Sequence, residues 1–212
     1  MIKRILSNFS FVHRLSLAVF VVLLIQKLFV FYGFHTSFND FYHKANATWN
    51  ITQGNGLRID LWGKSYFSNH FYPFYYIVAL GYFIAPTAFW LLLFQVICQS
   101  VMTWGILQIA YDVFGKKGTW ITLGLLFANY GFRRYNIEPL FGETVMAPLI
   151  AWILYFLIQS KDRWVLILCF FMLFTKENAV AFLAPLGVFY VVIRHRVVIG
   201  LGLIAVSTFH AW

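Results

Sequence analysis

Charge is scarce in this 212-residue chain: 11% of its residues are Asp, Glu, Lys or Arg, against 61% that are apolar. Soluble domains carry roughly a quarter charged residues, so a water-soluble globule is excluded. Cysteine is nearly absent, and Cys98 and Cys169 both fall inside apolar runs, which argues against a disulfide framework or a zinc site. Acidic residues are the rarer charge, 7 against 16 Lys and Arg, for a formal net charge of +9. The cations sit in short loops between apolar runs, so membrane orientation accounts for them and no nucleic-acid partner is expected. What the chain does have is aromatic residues, at 21%, a content foreign to disordered chains. Its apolar runs have helix length rather than the ten-residue alternation of an outer-membrane barrel. The expected fold is all-α: one polytopic membrane domain over residues 1–212, with about seven transmembrane helices.

The amino-terminal run, residues 15–34, follows Lys3, Arg4 and Arg14. It is longer than a secretory apolar region and lacks a cleavage site, so a retained first transmembrane helix is expected. The only extended polar stretch follows, an extracytoplasmic loop of about residues 35–86 that includes Lys44, Asp60 and the turn Gln53-Gly54-Asn55-Gly56. Within it, residues 40–52 suit an interfacial helix capped by Asp40, with Phe41, Ala45, Thr48 and Trp49 on its apolar side. Residues 75–85, between Pro73 and Pro86, are too few for a crossing and read as a re-entrant or interfacial piece.

Loop charge sets the expected topology. With residues 75–85 not crossing, the spans are 15–34, 87–111, 119–130, 144–159, 164–175, 179–193 and 197–212. Nine cations (Lys3, Arg4, Arg14, Lys116, Lys117, Lys161, Arg163, Arg194 and Arg196) then occupy four short loops on one side. That is the pattern of a cytoplasmic face, so an inner-membrane protein with a cytoplasmic amino terminus is expected. The other face collects Asp40, Asp60, Glu138, Glu143 and Glu177, together with His70, Arg133, Arg134 and Lys176. The span 164–175 is short, about 18 Å at 1.5 Å per residue, so Lys176-Glu177-Asn178 should lie at membrane depth. Charges there need a wet cavity or each other, which implies a polar pocket open to the outer side.

Several spaced motifs carry a family resemblance. Asp40 stands nine residues before Trp49-Asn50, then come Gly54, Asn69-His70-Phe71 with Pro73, Val113-Phe114-Gly115-Lys116, Glu143 five residues before Pro148, and Thr175-Lys176-Glu177-Asn178. This order resembles a family of bacterial and archaeal membrane proteins of unknown function related to the GT-C glycosyltransferases. The resemblance implies a sugar transferase that takes its donor from a polyprenyl phosphate on the outer leaflet. Asp40 would then be the base or acceptor-positioning group, Glu143 (or Glu138) a second acid, and Lys176 the lysine at the outer end of the fifth helix. The chain departs from the family pattern in carrying Ala45 where a second acid is common and Phe141-Gly142 where a His-Pro pair is common. No Asp-x-Asp motif occurs, so neither metal dependence nor any other cofactor is expected; the lipid-linked sugar would be a substrate.

Transfer needs a carboxylate to take a proton, cations for the leaving phosphate and a route for a lipid tail. His70, Arg133 and Arg134 are candidate phosphate ligands, with Glu138, Lys176, Glu177 and Asn178 completing the substrate-binding set. Each has a plainer reading: Asp40 as a helix cap, Glu143 as a helix-dipole partner, the arginines as lipid anchors, His70 as an interfacial neighbour, Lys176-Glu177 as a self-neutralising pair. Asn8-Phe9-Ser10, Asn46-Ala47-Thr48 and Asn50-Ile51-Thr52 match the glycosylation pattern, which has meaning only in a glycosylating compartment. Expected partners are membrane lipids, a polyprenyl-phosphate sugar and an acceptor. The alternatives are a transporter or lipid flippase, and a truncated, non-catalytic chain or module that needs a partner subunit.

Overall fold

A computed structural model describes the backbone of residues 2–33, 38–65, 72–137 and 143–210, with side chains over 11–33, 41–61, 63–65, 72–134 and 143–208. Within these residues the chain is mostly helical. The elements are α1 (Ile2–Tyr32), α2 (Phe38–Thr52), α3 (Tyr75–Ile84), α4 (Phe89–Ala128), α5 (Tyr130–Ile137), α6 (Glu143–Ile158), α7 (Asp162–Met172), α8 (Val180–Val192) and α9 (Val197–His210). A two-stranded antiparallel hairpin, β1 (Arg58–Ile59) and β2 (Lys64–Ser65), closes after α2. The hairpin is the one departure from the all-α expectation; strands of two residues leave no periodic signal in the sequence.

Two helices are long and apolar enough to cross a bilayer, Phe11–Tyr32 and Phe89–Ala128. The second is two helices in contact, because Gly115 interrupts it with φ 68° and ψ −165°. That backbone region is essentially open to glycine alone. The break lands beside Lys116 and Lys117, where a charged turn between two apolar runs is expected. The α1 face turned away from α4 is apolar and exposed, with Leu17, Ile25 and Phe29 uncovered. An uncovered apolar face of this kind suits lipid rather than water.

Helix neighbours follow the chain. The buried stripe of α1 (Val12, Leu15, Val19, Leu23) packs on α4 through Leu107 at one end and Val96 nearer the other. Helices α6, α7, α8 and α9 share a second core of Ile153, Val165, Met172, Leu183 and Tyr190. Gly187 and Gly200 let α8 and α9 touch, since a Cβ on Gly200 would lie 2.5 Å from the Gly187 carbonyl oxygen.

Helix α3 is 10 residues long, about 15 Å, and turns back against the start of α4. Phe74 stacks on Phe94 at 6.3 Å, and a Cβ on Gly81 would meet the Trp90 indole at 2.6 Å. The segment is thus a short helix, as its length between the two prolines led one to expect. Helix α2 packs on α3 and on the hairpin. It begins at Phe38, so Asp40 lies in its first turn and not at its cap. Of its expected apolar side, Phe41, Ala45 and Thr48 are buried or packed on the core while Trp49 is exposed, and Lys44, Ala47 and Asn50 are enclosed as well. The hairpin accounts for Asn50, which donates to the Arg58 carbonyl and to Asp60 where an isolated interfacial helix would leave it in water.

Candidate functional site

The two ends of the bundle differ in chemistry. At one end Lys116 lies over the Phe11 ring at 5.6 Å, and Gln159 donates to the Asp112 carboxylate at 3.1 Å. There too, Arg194 donates to Ser160 Oγ at 3.0 Å and to the Leu157 carbonyl at 2.6 Å. These contacts gather the turns that carry Lys116, Lys117, Lys161, Arg163, Arg194 and Arg196. Arg194 thus adds a second donor to the Leu157 carbonyl in the last turn of α6, where a cation is favoured.

The other end holds an acid–base cluster built from three separate turns. Glu143 is the first residue of α6, where the exposed amide dipoles favour a negative charge. Pro148, inside the same helix, has no N–H to give the Thr144 carbonyl, which loosens this first turn. Lys176 follows α7, whose 11 residues end at Met172. Thr175 closes that end by donating to the Met172 carbonyl at 2.6 Å, and Lys176 leaves in an extended conformation.

The Lys176 ammonium donates to Glu143 Oε1 at 2.5 Å, and Asn178 donates to the same oxygen at 3.2 Å. Tyr72 closes the third side, its ring centroid 5.7 Å from Lys176 Nζ. Burial alone would lower the Lys176 pKa, but the bonds to Glu143 and Tyr72 outweigh it and raise the value above that of a free lysine. The lysine therefore stays charged. Its side chain is 16% exposed and that of Glu143 43%, so the pair is enclosed by protein on one side and open on the other.

An apolar groove of about 460 Å³ runs beneath the pair, lined among others by Phe74, Ile77, Leu149 and Phe171. Val145 and Thr175 also line it, which brings it within two residues of both charges. Phe74 and Val145 also belong to the apolar cluster that holds Tyr72 together with Phe41, Ala45 and Ile51 of α2. Asp40, one residue from Phe41, is thus on a helix docked to the site, although its side chain lies outside the described residues.

The sequence-derived set separates into three groups. Glu143, Lys176 and Asn178 meet, and Glu177 opens the short 3-10 turn that leads into α8. Arg133 and Arg134 are exposed on α5, with Arg134 stacked on the Tyr130 ring at 6.0 Å, while the Glu143 carboxylate is held by Lys176 and Asn178. His70 and Glu138 lie outside the described residues. Tyr72 was absent from the expected set; it lies in the aromatic run Phe71-Tyr72-Pro73-Phe74-Tyr75-Tyr76, where nothing in the sequence marks one ring above its neighbours. Lys27 was missed as well. It is fully enclosed on α1, and its signal was a charge inside the first apolar run. Among the described residues no group of three His, Cys, Asp or Glu side chains is placed to hold a metal ion.

Long apolar helices with an uncovered apolar face and a charged pair sunk at one end define a helical membrane protein. The chain belongs to the family described as predicted membrane protein, DUF2079, whose model matches residues 45–212. That span includes Tyr72, Glu143, Lys176 and Asn178, while Lys27 and Asp40 precede it. No curated protein and no solved structure matches the chain.

Proposed function

We propose that the chain is a GT-C-like glycosyltransferase of the inner membrane, crossing it about seven times with its amino terminus in the cytoplasm. The observation that carries this reading is the Lys176–Glu143 pair, set above an apolar groove and at the opposite end from the cationic turns. An isoprenoid tail fits the groove, and the phosphate at its head then reaches Lys176. The phosphate displaces the Glu143 carboxylate from the ammonium, which frees Glu143 to orient the acceptor.

In the reaction an acceptor hydroxyl attacks the anomeric carbon as the bond from that carbon to the phosphate oxygen breaks. The polyprenyl phosphate leaves with the bonding electrons, and Lys176 stabilises the growing charge. Asp40 takes the hydroxyl proton. His70, Glu138, Arg133 and Arg134 remain candidates for the rim of the site.

Isolated membranes containing the full chain, supplied with radiolabelled undecaprenyl-phosphate hexoses, test the proposal. Consumption of a donor by the native chain is expected, with a loss of at least 100-fold in Asp40→Asn and Glu143→Gln at equal membrane content. Turnover retained in Asp40→Asn, or no donor consumed by the native chain, overturns it.

A transporter or flippase is the second reading. It is favoured by the enclosed polar residues Gln95, Gln99 and Thr103 on one side of α4, since polar groups inside a membrane bundle often mark a path. Uptake into proteoliposomes without a covalent product would select it.

A further inference from the structure

The bundle holds a second hollow, of about 490 Å³, bounded by Met102 and Ile106 of α4, by Thr122 and Leu126 beyond the Gly115 break, and by Asn129 and Phe132 where α5 begins. From α6 it takes Ala147, whereas the groove beside Lys176 takes Val145 and Leu149. Residues two apart on a helix do not share a face, so the two spaces lie on different sides of α6.

The walls of this hollow are fixed by named bonds. The Phe132 amide donates to Asn129 Oδ1 at 3.0 Å, and the Phe132 carbonyl accepts from the enclosed Gln99 of α4 at 3.1 Å. The Phe132 ring meets Phe127 at 5.4 Å. Along α4, Thr122 to Asn129 covers about 10 Å, less than one leaflet of a hydrocarbon core about 30 Å thick. Leu125 lines the hollow and is itself 66% exposed, so in a membrane protein this side opens onto lipid tails.

The mouth has a different chemistry. The Arg133 amide donates to the Asn129 carbonyl at 3.3 Å, which sets Arg133 one helical turn along from Asn129. Its side chain is exposed, and no ion pair holds it among the described residues. Glu143, one turn from Ala147 on α6, is already bonded by Lys176 and Asn178. The mouth therefore offers a cation and no free carboxylate among the described residues.

We propose that this hollow seats one acyl chain of an anionic phospholipid, whose phosphate rests on the Arg133 guanidinium. Apolar walls alone would accept the tail of any lipid; the cation at the mouth selects the head. A zwitterionic head would bring an ammonium with no carboxylate to meet, whereas a guanidinium holds a phosphate through two N–H donors. The bound lipid ties α5 to both halves of α4. The inference stands apart from the transferase reading, because it uses neither Lys176 nor the groove beside it.

The full chain in detergent is titrated with phosphatidylglycerol and with phosphatidylcholine of the same acyl chains, and affinity is read from the rise in melting temperature. Phosphatidylglycerol is expected to bind at least 10-fold tighter. Arg133→Gln should bring the two lipids within about 3-fold of each other, while Arg196→Gln, an exposed cation at the opposite end, leaves the preference intact. Glycerol 3-phosphate, which has the phosphate but no tail, should give no shift. A phosphatidylglycerol with a photoreactive acyl chain is expected to label residues 102–106 and 122–132. Equal affinity for the two lipids in the native chain overturns the inference, as does a preference retained in Arg133→Gln or lost equally in Arg196→Gln. A full shift with glycerol 3-phosphate, or labelling confined to other segments, overturns it too. Each of these failures leaves the transferase reading standing.

Discussion

Asp60 joins two elements that the sequence leaves unrelated. Asn46 and Asn50 of α2 donate to its carboxylate at 2.8 and 3.0 Å, and the Asp60 amide donates back to Asn46 at 2.8 Å. The hydrogen bond from Asn46, followed by that from Asn50, holds the Asp60 pKa below the usual carboxylate value. A depressed folded pKa means that the clip is at full strength above the unfolded carboxylate's range, near pH 4, and fades as pH falls through the folded value. Amide exchange across residues 57–65 is therefore expected to quicken below that range, and Asn46→Ala should reproduce the effect at neutral pH. Both asparagines match the glycosylation pattern in the sequence, and their structural role was illegible because the hairpin closes across 14 residues. The Lys176–Glu143 contact was not legible: the sequence offered the adjacent Glu177 as a partner for Lys176, whereas the fold brings Glu143 to it from 33 residues away. A double-mutant cycle of Lys176→Met and Glu143→Gln, read by melting in detergent, is expected to give a coupling of about 1 kcal/mol.

Among the elements, α4 shows how charge outperforms hydropathy as a guide. Hydropathy alone joins residues 89–128 into one helix, whereas Lys116 and Lys117 mark the turn that Gly115 makes. Gly115→Ala places a Cβ in a glycine-only backbone region and is expected to cost about 1–3 kcal/mol, seen as a lower melting temperature. The α8–α9 contact was not legible, since glycines in apolar runs do not announce their neighbours. At Gly200 even a methyl group would press on backbone, so Gly200→Val should destabilise by about 1–3 kcal/mol through overpacking. Gly202, with open space around its Cβ position, is the control and should tolerate alanine. The α2 face was legible at Phe41, Ala45 and Thr48 but not at Trp49, which is exposed, or at Asn50, which the hairpin covers.

For the whole molecule, the arrangement most readable in advance was the cationic character of the turns at 116–117, 161–163 and 194–196, and contacts join those turns at one end. The orientation proposed for the membrane can be checked by thiol labelling in intact cells. Native Cys98 and Cys169 are buried, so the background should be low. Leu61→Cys, at an exposed hairpin position, is expected to react with an impermeant reagent from outside. Lys117→Cys should react only after permeabilisation, and equal labelling of the two would overturn the orientation.

The ends also differ in how firmly they are fastened. Arg194 grips the last turn of α6, and Tyr190 of α8 donates to Asp162 of α7 at 2.9 Å, so three helices are locked together at the cationic end. At the far end Met146 of α6 packs with Ala179 of the α7–α8 turn, and Lys176 and Asn178 add bonds to the half-exposed Glu143 carboxylate, bonds that the anion of the proposed reaction would compete for. Like the jaws of a peg sprung at its base, those helices have a fixed fulcrum, and under the proposed reaction their mouth would be held by contacts that the substrate exchanges.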